Sequence, residues 1–153
     1  MKYKFYVVLD NIRSALNVGS IVRTCDAFNI DKLFLCGITP TTEEKKVLKT
    51  ALGAEKSVNH EHRSDILELI RELKEKKFQI TSLEQTEKST DISKFKPKSN
   101  LVLILGNEVS GVSEEVLKES DLHTHIPMLG KKESLNVSVA LGIAAFHITK
   151  IKL

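Results

Sequence analysis

Residues 126–140 read Ile126-Pro127-Met128-Leu129-Gly130-Lys131-Lys132-Glu133-Ser134-Leu135-Asn136-Val137-Ser138-Val139-Ala140. The stretch leaves an apolar strand, crosses a short loop containing Pro127 and Gly130, and enters a helix for which Ser134 or Asn136 is a natural N-cap. Beyond it Leu135, Val137, Val139, Leu141, Ile143, Phe146 and Ile148 fall around the whole circumference, whereas a surface helix keeps one polar face. The helix is therefore expected to be covered on several sides. Its small residues Ser138, Ala140, Gly142, Ala144 and Ala145 suit a core or a subunit interface.

Upstream, apolar runs rich in β-formers alternate with helical patterns, the signature of an α/β fold with a mostly parallel sheet covered by helices on both faces. The order reads strand 3–9, helix 18–28, strand 32–36, helix 43–52 and a short strand 57–59. Ser64 can cap the next helix, in which Ile66, Leu67, Ile70 and Leu73 form one stripe. Strand 78–83, a polar surface excursion 84–99, strand 101–105, a helix starting near Ser113, strand 122–126 and helix 135–150 complete the chain. At 153 residues and 41% hydrophobic content one domain over 1–153 is the natural expectation, since dividing it would leave two undersized cores.

The charge of +3 is spread along the chain and neither demands nor excludes a polyanionic partner. Aromatic residues at 5%, with no Trp, supply a base-stacking surface poorly. No run approaches the roughly 20 apolar residues that span a bilayer, and the start of the chain lacks a leader's apolar segment, so a cytoplasmic protein away from membranes is expected. Cys25 and Cys36 read as buried reduced thiols. His60 with His62, and His123 with His125, have strand spacing but no cysteine or carboxylate set to complete a metal site, so no metal is expected.

In open α/β sheets ligands collect beyond the carboxyl ends of strands. Three such places are rich in polar residues: Asn11, Arg13, Asn17, Gly19 and Arg23; Gly106, Asn107, Glu108 and Gly111; and Met128, Gly130, Ser134 and Asn136. Each has a plain alternative. Arg23 can be a solvated charge, Glu108 a helix-dipole partner, Gly106 and Gly111 turn formers, and Ser134 and Asn136 caps, although capping accounts for only one of those two.

Together, Asn17-Val18-Gly19-Ser20-Ile21-Val22-Arg23, Leu105-Gly106-Asn107-Glu108 with Gly111, and Ile126-Pro127-Met128 with Gly130 and Ser134-Leu135-Asn136 resemble the three motifs of the TrmH (SpoU) family of RNA 2'-O-ribose methyltransferases, in the SPOUT superfamily. The resemblance implies an α/β-knot, a deep C-terminal trefoil in which the last helix passes through a loop, and knots are rare. It implies a homodimer that transfers a methyl group from S-adenosylmethionine to a ribose 2'-hydroxyl in tRNA or rRNA, releasing S-adenosylhomocysteine. The cofactor would be lined by Leu105, Gly106, Ile126, Met128, Ser134 and Leu135, with Ser82 and Leu83 contributing. Arg23, Asn17, Glu108, Ser134 and Asn136 would serve catalysis.

A guanidinium stays protonated in proteins, so Arg23 either gives up a proton only when substrate rearranges its surroundings or remains charged and orients a phosphate. Many relatives carry an added RNA-binding domain, which is not expected here. Arg13, Lys49, Lys56, Lys131 and Lys132 are then candidate phosphate contacts, and the run 49–55 resembles a loop near the family's active site. Two alternatives stand beside ribose methylation: an RNA-binding or assembly protein that has lost catalysis, and a methyltransferase directed at a base.

Overall fold

The strand Leu101–Leu105 (β6) is buried at all five positions, as a strand covered on both faces must be. Leu101, Leu103 and Leu105 enter one core while Val102 and Ile104 enter another, the two-residue alternation of a strand dividing two layers. The computed structural model describes residues 2–150. Its other strands are Phe5–Asp10 (β1), Lys32–Cys36 (β2), His60–Arg63 (β3), Gln79–Leu83 (β4), Thr90–Asp91 (β5) and Leu122–His125 (β7). They form one parallel sheet in the order β3-β2-β1-β6-β4-β7-β5.

Helices Ala15–Ala27 (α1), Lys45–Ala51 (α2) and Val137–Lys150 (α5) supply Val18, Val22, Val47, Leu141 and Ala144 to the first core. Helices Ile66–Glu75 (α3) and Glu114–Glu119 (α4) supply Leu69, Ile70, Leu73 and Val116 to the second. The chain runs outward from β1 through β2 to β3, crosses to β4 and the far edge at β5, then returns to β6 between β1 and β4 and ends the sheet with β7 between β4 and β5.

Four details depart from the sequence reading. The short strand lies at His60–Arg63 rather than at 57–59, because Val58 is buried within a turn and donates its N–H to the Ala54 carbonyl. β3 itself is polar, tied by Lys32–Glu61 at 2.7 Å and Arg63–Glu72 at 2.6 Å, so no apolar run marks it. Asp65, not Ser64, caps α3, accepting from the N–H groups of Leu67 and Glu68. The excursion 84–99 is not wholly at the surface: Thr90–Asp91 adds the outermost strand, and Ile92 and Phe95 are buried in the first core. Finally, α5 buries Val137, Leu141, Ala144, Ala145 and Ile148 but leaves Val139 49%, Ile143 41% and Phe146 59% exposed.

Gly19 sets how closely α1 and α2 approach. A Cβ there would collide with the carbonyl of Val47 and the hydroxyl of Thr50, which donates to the Leu16 carbonyl at 2.8 Å. Alanine would gain about 1 kcal/mol in helix propensity, but a clash against backbone cannot be relieved by a rotamer change. We expect Gly19→Ala to be destabilising by a net of about 1–3 kcal/mol, read as a lower urea midpoint; an unchanged or higher midpoint would show that the helices separate freely.

Candidate active site

A cavity of about 1030 Å³ opens at the carboxyl ends of β6, β4 and β7. Leu105, Ile126, Met128 and Leu135 give it apolar walls, while Glu84, Glu108, Ser134 and Asn136 give it polar ones. Gly106 forms part of the wall because nothing larger fits: a Cβ would overlap the backbone of Gly111 and Val112. Gly111 turns with φ 71 and brings its α-carbon against the Glu84 carboxylate, whose Oε2 accepts from the Val112 N–H at 2.9 Å. Asn107 closes the same loop, accepting from Val109 and Ser110 while its amide donates to the Asn11 carbonyl.

One hydrogen-bond chain joins the three sequence motifs. Glu108 reaches the start of α1 and accepts from the N–H groups of Arg13 and Ser14, both at 3.0 Å, where unpaired helix donors favour an anion. The Asn17 amide donates to Glu108 at 3.3 Å, and the Asn136 amide donates to the Asn17 oxygen at 3.1 Å. Asn136 is also the cap of α5, since its side-chain oxygen accepts from the Ser138 N–H at 2.9 Å and its carbonyl from the Ala140 N–H. Burial by itself would raise the Glu108 pKa; the donors from Arg13, Ser14 and Asn17 outweigh it and hold the carboxyl below the usual carboxylate range.

The structure thus brings Asn17, Glu108, Ser134 and Asn136 to one cavity with Leu83, Leu105, Gly106, Ile126, Met128 and Leu135. Ser82 does not line the cavity; it is buried, with its hydroxyl 2.7 Å from that of Ser120. Arg23 also stands apart. It lines a second hollow, of about 530 Å³, with Ser20, Thr24, Lys49, Thr50 and Gly142. Lys131 and Lys132 lie at the first cavity, whereas Arg13 and Lys56 are exposed and line neither.

Sequence reasoning misses Glu84, although it is the first residue beyond β4 and the rule that singles out the other sites applies there too. It also misses buried Asp10, which accepts from the Asn11 amide and the Ser113 N–H. The four histidines of the paired patterns each have a protein partner: Thr42 for His60, Gly37 for His62, Thr86 for His123 and Ser89 for His125. Among the described residues no His, Cys, Asp and Glu group is placed to hold a metal ion, and no helix is long and apolar enough to cross a membrane. Cys25 and Cys36 are free and buried, and burial, with Asp10 adding to it, pushes the Cys36 thiol up to about 12.

A parallel sheet covered by helices on both faces, with a cavity on which loops from the carboxyl ends of β6, β4 and β7 converge, defines an α/β protein with its candidate ligand site at the strand ends. The chain belongs to the SpoU rRNA Methylase family, whose model matches residues 4–146. It is 36% identical over 147 residues to an uncharacterized tRNA/rRNA methyltransferase of Borreliella burgdorferi, covering 95% of this chain and 64% of that one. It is 33% identical over 147 residues to the tRNA (guanosine(18)-2'-O)-methyltransferase of Thermus thermophilus, covering 96% and 75%. Among solved structures it superposes on the AdoMet-bound rRNA methyltransferase from Sinorhizobium meliloti with a TM-score of 0.91 and 26% identity, covering all of this chain and 58% of the other. The chain spans less than two thirds of the length of the Borreliella relative.

Proposed function

We propose that this protein transfers a methyl group from S-adenosylmethionine to a ribose 2'-hydroxyl of tRNA or rRNA, as one domain working as a homodimer in the cytoplasm. The observation that carries the proposal is the hydrogen-bond chain Glu108–Asn17–Asn136, which joins three distant segments at the mouth of a cavity large enough for a nucleoside-sized ligand. The cavity suits the cofactor: apolar side chains for an adenine, a glycine wall where backbone can approach, and the polar groups of Ser134 and Glu84. When bound, the sulfonium cofactor supplies an activated methyl group and needs no metal. Gly106, Ile126, Met128, Ser134 and Leu135 would hold it.

The residues of the chain must then fix a ribose hydroxyl in line with that group and remove its proton. Asn17 and Asn136 fix the rim of the cavity, and Glu108 fixes the start of α1. Arg23, further along the same helix as Asn17, either remains charged and orients the substrate phosphate while another group takes the proton, or accepts the proton after the bound substrate has made it give up its own. Its hollow includes Gly142 of α5, next to the exposed Ile143, so a second copy packed on Val139, Ile143 and Phe146 would cover the Arg23 hollow and bring it to a partner's cavity. The family's knot is part of the proposal. It is supported by the path of the chain: β7 lies beyond β4, yet α5 returns to pack on α1.

The test is incubation of the protein with methyl-labelled S-adenosylmethionine and total RNA, followed by digestion to nucleosides. Label in a 2'-O-methyl nucleoside is the expected result. Label on a base would move the chemistry to the nucleobase, and absence of both label and calorimetric cofactor binding would leave an RNA-binding scaffold without catalysis.

A further inference from the structure

The ends of the strands opposite the cavity carry charge that the proposed chemistry does not use. β1, β6 and β4 are neighbours in the sheet, and each is preceded by lysine: Lys4 before β1, Lys96 and Lys98 before β6, Lys76 and Lys77 before β4. Strands roughly 4.8 Å apart bring these five side chains to one end of the molecule. All five are exposed, and among the described residues none is in an ion pair. Nearby acids are Glu72, Glu75, Asp31 and Asp121. Glu72 is bonded to Arg63 and also feels the charge of Lys76, and the two aspartates accept from the backbone N–H groups of Phe5 and Ile80.

Lys77 adds a second observation. It follows the C-cap of α3 with φ 64, a left-handed conformation in which glycine is relaxed and a side chain is not. A lysine stands where the fold alone would favour glycine.

We propose that this lysine face binds a second stretch of phosphate backbone of the RNA whose ribose is methylated, about 17 Å or more from the cavity, the length of a five-residue strand. The proposal rests on the function given above for the identity of the RNA. Phosphate is favoured over a lipid surface because the large side chains at these strand ends, Phe5, Phe78 and Leu101, are all buried, leaving nothing apolar to insert among headgroups.

The experiment measures binding of unfractionated transfer RNA by filter retention across a salt series, for the native chain, for a variant combining Lys4→Glu, Lys96→Glu and Lys98→Glu, and for the same positions changed to Arg. The Glu variant is expected to bind at least about tenfold more weakly near physiological salt, with the slope of log affinity against log salt shallower by about 0.9 for each phosphate no longer neutralised. The Arg variant should bind as the native chain does. Lys77→Gly should melt at a higher temperature and yet bind RNA more weakly, a pairing that a purely structural role would not produce.

Unchanged affinity and slope in a folded Glu variant would overturn the proposal, as would native binding to phosphatidylglycerol vesicles that disappears in that variant while RNA binding persists. Methylation is read separately. RNA binding that needs these lysines in a protein with no methyl transfer would overturn the function and leave the lysine face standing.

Discussion

Glu108→Gln is expected to weaken the fold near neutral pH and to weaken it less near pH 3. The native carboxylate accepts from Arg13, Ser14 and Asn17 at the start of α1, and a neutral amide replaces charge-assisted bonds with weaker ones or none. Because the carboxylate is partly in water, the loss should lie at the low end for charged hydrogen bonds, about 1–1.5 kcal/mol. Its pKa in the folded chain is depressed, so the unfolded chain takes up its proton first as pH falls. The stability it contributes is therefore complete above the unfolded value of about 4.3 and disappears as pH drops through the lower folded value. Urea unfolding of native and variant proteins at pH 7 and pH 3 checks this. A stability difference as large at pH 3 as at pH 7 would show that shape, not charge, is what Glu108 contributes. Methyl transfer should fall by more than stability does, because Asn17 loses the group that orients it toward Asn136.

The parts of the fold legible in the sequence are those whose local pattern has one physical cause. Lys32–Cys36 and Leu101–Leu105 are legible to the residue, since a strand buried on both faces shows as an unbroken apolar run. His60–Arg63 is not, because an edge strand held by ion pairs to Lys32 and Glu72 shows no such run. Thr90–Asp91, two residues long, is strand only through its pairing with Thr124 and His125. The candidate site divides in the same way. Residues of the three motifs can be singled out as polar groups following strands, but their contacts join positions 91 and 119 apart in the chain. No periodicity encodes such distances. Asn136 reads as a cap, and it is one; its other role, bonding to Asn17, appears only when α5 lies against α1.

Two inactive variants mixed together are expected to restore activity. Within one chain the cavity holding Met128 and the hollow holding Arg23 are separate, and the apolar side chains Val139, Ile143 and Phe146 stand uncovered on α5 beside the hollow. If a homodimer covers that face, each site draws its cavity from one subunit and Arg23 from the other. Arg23→Ala alone should lower methyl transfer by roughly 10²–10⁴-fold while cofactor binding persists, the range for a group that acts on the transferred proton. Met128→Arg alone should abolish cofactor binding, since it fills the cavity with a cation where the proposed cofactor, itself a sulfonium, would bind. In a mixed dimer of the two, one site has both defects and the other has neither, so a purified mixed dimer should recover about half the native rate, and a random mixture about a quarter. If Arg23 served its own subunit's cavity, every site in the mixed dimer would carry one defect and the mixture would stay inactive. Recovery therefore measures which subunit supplies the arginine, and a mixture as inactive as its components would place both halves of the site in one chain.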